Sequence, residues 1–364
     1  MEFTVLTTDF SKTLQSALRF VSSRATLPIL SSVKLRAEGA SLMVIATDLE
    51  MSMVGKIGAQ VVSEGECAVP AKQLSEIVGN LSSREVSLKI EKELLVIYSE
   101  GFKATLATSG VSEFPEVTVV APEGGFNLSF DSLSKALKRV LFAVGVDEAR
   151  PIFTGVLFSA SAGRFRLVAT DGFRLSKFEM GSLGETVEDF SFVVPRKILG
   201  EIGRFAADIV SFKYNQEEKT IVFGLGEVVV TSRVIEGNYP NFEKIIPKNH
   251  ECSINVSLDD FSRVVKMAQV FARQSSGKLT LTIGESAIKV GAESTGLGET
   301  QSEVSAKVEG DPFEMYLNGK YLEDCLAVIT SESVDLKGID SNSALQVYDP
   351  SESNFLHLVM PLKG

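Results

Sequence analysis

The sequence is poor in the residues that carry most chemistry. Its 364 residues include only two histidines, His250 and His357, and three cysteines, Cys67, Cys252 and Cys325. The cysteines are isolated and odd in number. They offer neither a disulfide framework nor a zinc-ligand spacing, and read as buried thiols in a reducing cytoplasm. No run of about 18 apolar residues exists, which excludes a membrane-spanning helix. The opening MEFTVLTTDF has no basic or apolar region of a secretory signal. A G-x-x-x-x-G-K-[ST] loop is missing, GLGEVV at 224–229 fails the G-x-G-x-x-G pattern at its last position, and no G-x-S-x-G occurs. Positive charge is also in deficit. A net charge of −11 argues, taken alone, against a surface built to grip nucleic acid.

What the sequence does contain is hydrophobic residues, at 44%, and an internal repeat. Ala-Thr-Asp begins at Ala46 in VIATDLEMSM and at Ala169 in LVATDGFRLS, 123 residues on. LPILSSVKL (27–35) matches RPIFTGVLF (150–158), with Pro28 and Pro151 also 123 apart. AVPAKQLSEIVGNL (68–81) matches VVPRKILGEIGRF (193–205), and SEFPEV (112–117) matches GNYPNF (237–242), both at an offset of 125 between prolines. A fainter third copy runs through SLDDFSRVVKMAQVFAR (257–273) and MYLNGKYLEDCLAVI (315–329), where Asn318 stands 123 residues after Pro195. Three units of roughly 120 residues therefore fill the chain, each long enough to be a domain with its own core. The expected boundaries are 1–120, 121–247 and 248–364.

Each unit reads as α+β, with two helices packed on antiparallel sheet. In the first helix Phe10, Leu14, Ala17, Leu18 and Val21 follow helical spacing, with Asp9 at the expected N-cap. SVKLRAE and SLMVIAT read as strands joined at Gly39, and AKQLSEIVGNL as the second helix. The helices depart from the acidic trend. Lys12 and Arg19, then Lys135, Lys138 and Arg139, then Arg263 and Lys266, lie off the apolar stripes of the first helices. Lys72, Arg196, Lys197 and Arg204 belong to second helices, whereas Lys320 in the last one is offset by Glu323 and Asp324. A concentrated basic surface on an acidic molecule can follow a phosphate backbone without reading bases.

Asp48 and Asp171 each end a strand. Their simplest role is a turn, since an Asp side chain caps local N–H groups and Gly172 supplies a left-handed position. The residues alone leave two readings: a binding or tethering protein, or an enzyme of three α+β repeats using Asp48 and Asp171 on a small substrate or metal. The second lacks a repeated base and a ligand set.

From MEFTV to VMPLKG the sequence resembles the bacterial DNA polymerase III beta subunit, the replicative sliding clamp. The resemblance is carried by TLPILSSV, ATDLEM, VPAK, ATDGFRLS, VPRK, EGNYPNFEKIIP and VMPLKG. It implies three DNA-clamp domains per chain and a head-to-tail homodimer forming a six-domain ring. Helices would line the hole, and duplex DNA would pass through it without base readout. The expected function is to tether the polymerase, with no catalysis, cofactor or metal. Partners would be the replicative polymerase catalytic subunit, the clamp loader and other clamp-binding-motif proteins, in the cytoplasm. DNA-facing residues would be Lys12, Arg19, Arg24, Lys72, Lys135, Lys138, Arg139, Arg196, Lys197, Arg204, Arg263 and Lys266. A hydrophobic peptide pocket would take Thr170, Gly172, Phe173, Arg174 and Leu175 as one wall, continued by Phe153, Pro240, Lys244 and Ile245. The tail Leu358, Val359, Met360, Pro361 and Leu362 would close it, with Tyr321 and Leu345 nearby. Val270 and Phe271 align with the dimer seam. Relatives often have His where Phe173 stands, so this pocket should be more apolar.

Overall fold

The computed structural model describes residues 1–22, 27–182 and 189–363. Six α-helices occur among them: α1 (Thr7–Ala17), α2 (Ala71–Gly79), α3 (Phe130–Val140), α4 (Arg196–Ile202), α5 (Leu258–Ala272) and α6 (Gly319–Leu326). Each turns an apolar stripe inward. In α1 the buried residues are Thr7, Phe10, Leu14 and Ala17, close to the spacing of one helical face. Leu6, not Asp9, holds the N-cap position of α1. Asp9 lies in the first turn, where its carboxylate complements the helix dipole. Side-chain caps start α5 and α6, where Ser257 Oγ accepts from the Asp260 N–H and Asn318 Oδ1 from the Lys320 N–H. α3 is shorter than its pattern suggests, because the chain tightens into a 3₁₀ turn at Leu141–Ala143.

The chain divides into two compact units. The first comprises Met1–Phe130 and Lys197–Val234, the second Asp131–Arg196 and Ile235–Gly364. Each contains one twelve-stranded antiparallel sheet. In the first unit the order runs Phe102–Ala107, Leu94–Ser99, Glu85–Glu91, Glu2–Leu6, Met51–Ser63, Val228–Arg233, Thr220–Leu225, Ile209–Asn215, Phe126–Ser129. Ser41–Thr47, Ser32–Glu38 and Gly65–Pro70 branch from Met51–Ser63. In the second unit it runs Phe190–Pro195, Gly155–Ser161, Arg164–Thr170, Arg174–Ser182, Glu352–Val359, Leu345–Asp349, Ser333–Gly338, Cys252–Ser257, Gly298–Glu309, Ala287–Ser294, Lys278–Ile283, Phe313–Asn318.

Three sequence repeats thus fold as two contact units because the middle repeat is shared. Its strands Thr220–Leu225 and Val228–Arg233 join the first repeat's sheet, where Ser232 faces Met51 and Val228 faces Gly55. Its strand Arg174–Ser182 joins the third repeat's sheet, where Arg174 faces Val359 and Phe178 faces Phe355. Fully buried phenylalanines, among them Phe3, Phe10 and Phe20 in the first unit and Phe158, Phe165, Phe261 and Phe355 in the second, fill the interiors. Burying each such side chain stabilises by about 1.5–3 kcal/mol. All three cysteines are buried and free. Among the described residues no helix is long and apolar enough to cross a membrane.

Candidate functional site

The repeated Thr-Asp turns are built by the same hydrogen bonds. Thr47 Oγ1 donates to the Met51 carbonyl (3.0 Å) and accepts from the Leu49 N–H. Thr170 Oγ1 donates to the Arg174 carbonyl (2.5 Å) and accepts from the Gly172 N–H. Asp48 Oδ1 takes the N–H groups of Glu50 and Met51, and Asp171 Oδ1 those of Phe173 and Arg174. The residue after each Asp has positive φ, +77° at Leu49 and +93° at Gly172. The second carboxylate oxygen is also engaged, by Lys197 Nζ at Asp48 and by Arg174 Nε at Asp171. Both aspartates therefore turn the chain, and neither carboxylate is left over for acid–base work.

The turn at Asp171 presents an exposed surface of the second unit. Gly172 and Phe173 are exposed, Phe173 by 53%. A Cβ at Gly172 would meet Arg150 Nη1 at 3.1 Å, so glycine here admits a close approach as well as the backbone angle. Arg150 lies over two rings, 5.4 Å from the Phe153 centroid and 5.9 Å from that of Phe173. Phe153 in turn meets Tyr239 edge-on at 6.3 Å. Pro240, Lys244 and Ile245 are exposed on the segment that follows.

The strand Glu352–Val359 runs beside that turn. Glu352–Val359 pairs with Arg174–Ser182, and Met360 N–H extends the ladder to the Phe173 carbonyl at 2.9 Å. Leu362 N–H then bonds the Tyr316 carbonyl at 2.7 Å. Met360 is 39% exposed, while Pro361 and Leu362 are half-buried. Thr170, Leu175, Leu345, Leu358 and Val359 are buried, so they lie beneath this surface and not on it. Arg174 is no free cation either. Its guanidinium is held by Asp171 (3.0 Å) and Asp324 (2.7 Å) and stacks 4.4 Å from the Tyr321 ring. Burial raises the Tyr321 phenol pKa, with Asp171 adding to the effect.

The cationic residues of the helices separate into three groups. Lys12, Lys138, Arg196 and Lys266 are exposed and form no ion pair among the described residues. Lys72, Lys135, Lys197, Arg204 and Arg263 are exposed but engaged by Glu76, Glu352, Asp48, Glu201 and Asp260 respectively. Arg19 is mostly covered, paired with Glu201 and stacked on Phe205. Arg139 contradicts its expected role at a DNA surface. It is 2% exposed, paired with Asp349 at 2.7 Å and stacked 5.0 Å from the Phe355 ring. A buried guanidinium of this kind is structural. Arg24 lies outside the described residues. Val270 is 62% exposed and Phe271 half-buried on α5.

Sequence reasoning missed one residue beside Phe173. Arg150 was readable only as the repeat counterpart of Leu27, with nothing local to mark it as part of this surface. Lys320 occupies the α6 position that Lys72 and Lys197 hold in the other second helices. Glu323 and Asp324 pair with it, as the sequence indicated.

A chain of three related α+β units, with exposed apolar side chains at Phe173, Ile245 and Met360 and cations on its helices, has the architecture of a clamp. Comparison with known proteins agrees over the whole length. The DNA polymerase III beta subunit model matches as N-terminal domain at residues 1–118, central domain at 127–241 and C-terminal domain at 243–363. A beta sliding clamp of Pseudomonas putida is 28% identical, covering 100% of both chains. The crystal structure of the DNA polymerase III subunit beta of Pseudomonas aeruginosa matches with a TM-score of 0.95 at 26% identity, covering 100% of both chains. A sliding clamp from the same organism bound to griselimycin matches at 0.93 and 27%, again over 100% of both. The chain belongs to the DNA polymerase III beta subunit family. Its function is that of a sliding clamp, a processivity subunit without catalysis of its own.

Proposed function

We propose that two copies of this chain close head to tail around duplex DNA, in the cytoplasm, with domains at about 1–120, 121–247 and 248–364. The observation that carries the reading is a charge repeated by position. Lys12, Lys135 and Arg263 occupy one site on the three first helices, and all are exposed. Lys72, Lys197 and Lys320 occupy one site on the three second helices. Cations recurring at one position in every repeat suit a backbone that presents phosphates at regular intervals and no sequence. The acidic remainder of the surface disfavours DNA elsewhere.

The repeat also supplies a register for the dimer seam. Among the described residues Phe102–Ala107 is paired on one side only, and residues 298–305 of Gly298–Glu309 pair only with Ala287–Ser294. At the two junctions inside the chain, Ser232 faces Met51 and Val359 faces Arg174. By the same offsets Leu106 should face Gly298 of the partner subunit, and Phe102 should face Ser302 of the partner subunit. Val270 and Phe271 would add apolar contact.

The surface around Phe173 and Met360 would take extended peptides from the polymerase catalytic subunit, the clamp loader and other proteins with a clamp-binding motif. Arg150 and Lys244 give it a cationic edge, which suits peptides that combine apolar with acidic side chains. The test is small-angle scattering together with retention on DNA. A mass twice 39.3 kDa and retention on circular but not linear duplex are expected. A monomer, or equal retention on both DNA forms, overturns the ring.

A further inference from the structure

We propose that the first unit carries a second peptide-docking groove, for an extended segment of apolar and basic side chains. The groove lies between residues 118–123 and the hairpin of Ile209–Asn215 and Thr220–Leu225, with a volume of about 910 Å³. Its apolar surface comes from Val120, Tyr214 and Val222, and Val120 is 62% exposed. One exposed aliphatic residue is ordinary, but three apolar side chains sharing one groove make a surface suited to cover by a partner.

The rim of the groove selects the partner's charge. Glu123, Glu217 and Glu218 line it, and none of them forms an ion pair among the described residues. The Asn215 side chain fixes the hairpin tip by accepting the N–H groups of Glu217 and Glu218. Lys213, the groove's own cation, is turned to the Glu123 carbonyl at 2.9 Å. An apolar floor with three carboxylates against one lysine favours an apolar segment carrying lysine or arginine.

The internal repeat supports a docking role independently of charge. Val120 stands 125 residues before Ile245, which is exposed in the second unit. Across the sheet, Ser52 faces Thr231, Thr231 faces Val222 and Val222 faces Lys213. The corresponding row under the other surface runs Leu175, Leu358, Gln346, Lys337. The two surfaces are thus variants of one design with opposite charge preference. The groove stands on residues of its own, so either docking surface can fail without the other.

The test uses fluorescence anisotropy with two labelled ten-residue peptides, one alternating leucine and lysine, the other leucine and glutamate. The lysine peptide should bind the full chain, and the glutamate peptide about tenfold more weakly at this groove. Glu217→Lys with Glu218→Lys should weaken the lysine peptide about tenfold, and Val120→Ser about threefold. These positions are exposed or at a hairpin tip, so folding should be kept, with circular dichroism as the check. Reversing two exposed acids of the second unit, Glu285→Lys with Glu332→Lys, and deleting residues 360–363 should each leave the affinity within about twofold. Equal loss from the distant reversal would reduce the effect to net charge and overturn the groove. No loss from Glu217→Lys with Glu218→Lys, or full loss on tail deletion, would overturn it as well.

Discussion

Ser176 and His357 face each other across paired strands and share a hydrogen bond of 2.7 Å between Oγ and Nδ1, with both residues fully buried. A serine beside a histidine invites a catalytic reading. Burial opposes it, since neither atom can reach a substrate. The His357 ring packs 5.1 Å from Phe142, and its Nε2 is enclosed without a hydrogen-bond partner among the described residues. Burial, with the Arg174 charge adding to it, holds the imidazole pKa down at about 3.

That depression makes the fold sensitive to acid. The unfolded imidazole titrates near 6.5, so between pH 6.5 and 3 the unfolded chain binds the extra proton. Stability is complete above pH 6.5 and falls as pH drops toward 3. At pH 5 the loss from this one group should be about 2 kcal/mol. Urea unfolding at pH 7.5 and pH 5 should show this fall in the parent and a smaller one in His357→Gln. Equal falls in both would remove His357 as the cause.

Arg139 and Asp349 make a second prediction. Burial by itself would raise the Asp349 pKa, but hydrogen bonds from Ser351, the Thr330 N–H, Ser331 and Arg139 outweigh it and hold the carboxyl well below its ordinary range. Arg139→Met would leave that carboxylate buried and unpaired, at a cost of about 3–5 kcal/mol. Lys138→Met, one residue away but exposed, should change stability by less than about 0.5 kcal/mol. Denaturant midpoints separate the two. Similar small shifts in both would return Arg139 to the surface.

The same pair explains where sequence reading stops. Alternating strands, apolar helix stripes and the Thr-Asp turns are local, so Phe10, Leu14, Thr47 and Thr170 could be placed from spacing alone. The repeat then located the recurrent prolines, and the resemblance to the clamp family pointed to Phe173. Arg139 could not be placed that way, because its partner Asp349 lies 210 residues on and only the folded sheet brings them together. Arg174 is similar, since Asp324 engages it from α6 across 150 residues. The split of the middle repeat between two sheets was hidden for the same reason, as strand pairs such as Ser232 with Met51 leave no local pattern.

The two turns should differ in their response to losing the Asp side chain. Asp171→Ala removes the acceptor of two backbone N–H groups and frees Arg174 from one of its two carboxylates, with both side chains mostly buried. The expected loss is about 2 kcal/mol. Asp48→Ala removes the same N–H contacts, but its ion-pair partner Lys197 is 63% exposed, and the loss should be about 1 kcal/mol. Asp171→Asn keeps the Oδ1 acceptor and should fall between the parent and Asp171→Ala. Thermal melts of the three variants test this order, and a larger loss at Asp48 would contradict it.

The exposed cations should act through salt-sensitive contact rather than through stability. Lys12, Lys138, Arg196 and Lys266 have no ion-pair partner among the described residues, so each can meet a phosphate without breaking an ion pair there. Neutralising Lys138 and Arg196 together should flatten the dependence of log affinity on log salt by about 2 on duplex DNA. The unfolding midpoint should stay unchanged. Neutralising Lys135 with Arg263 should flatten it less, because Glu352 and Asp260 already compensate them. Equilibrium binding across a salt series reads both slopes. Equal slopes for the two pairs would mean that the protein's own ion pairs open on DNA and that position on the helix, not freedom from a partner, sets the contact.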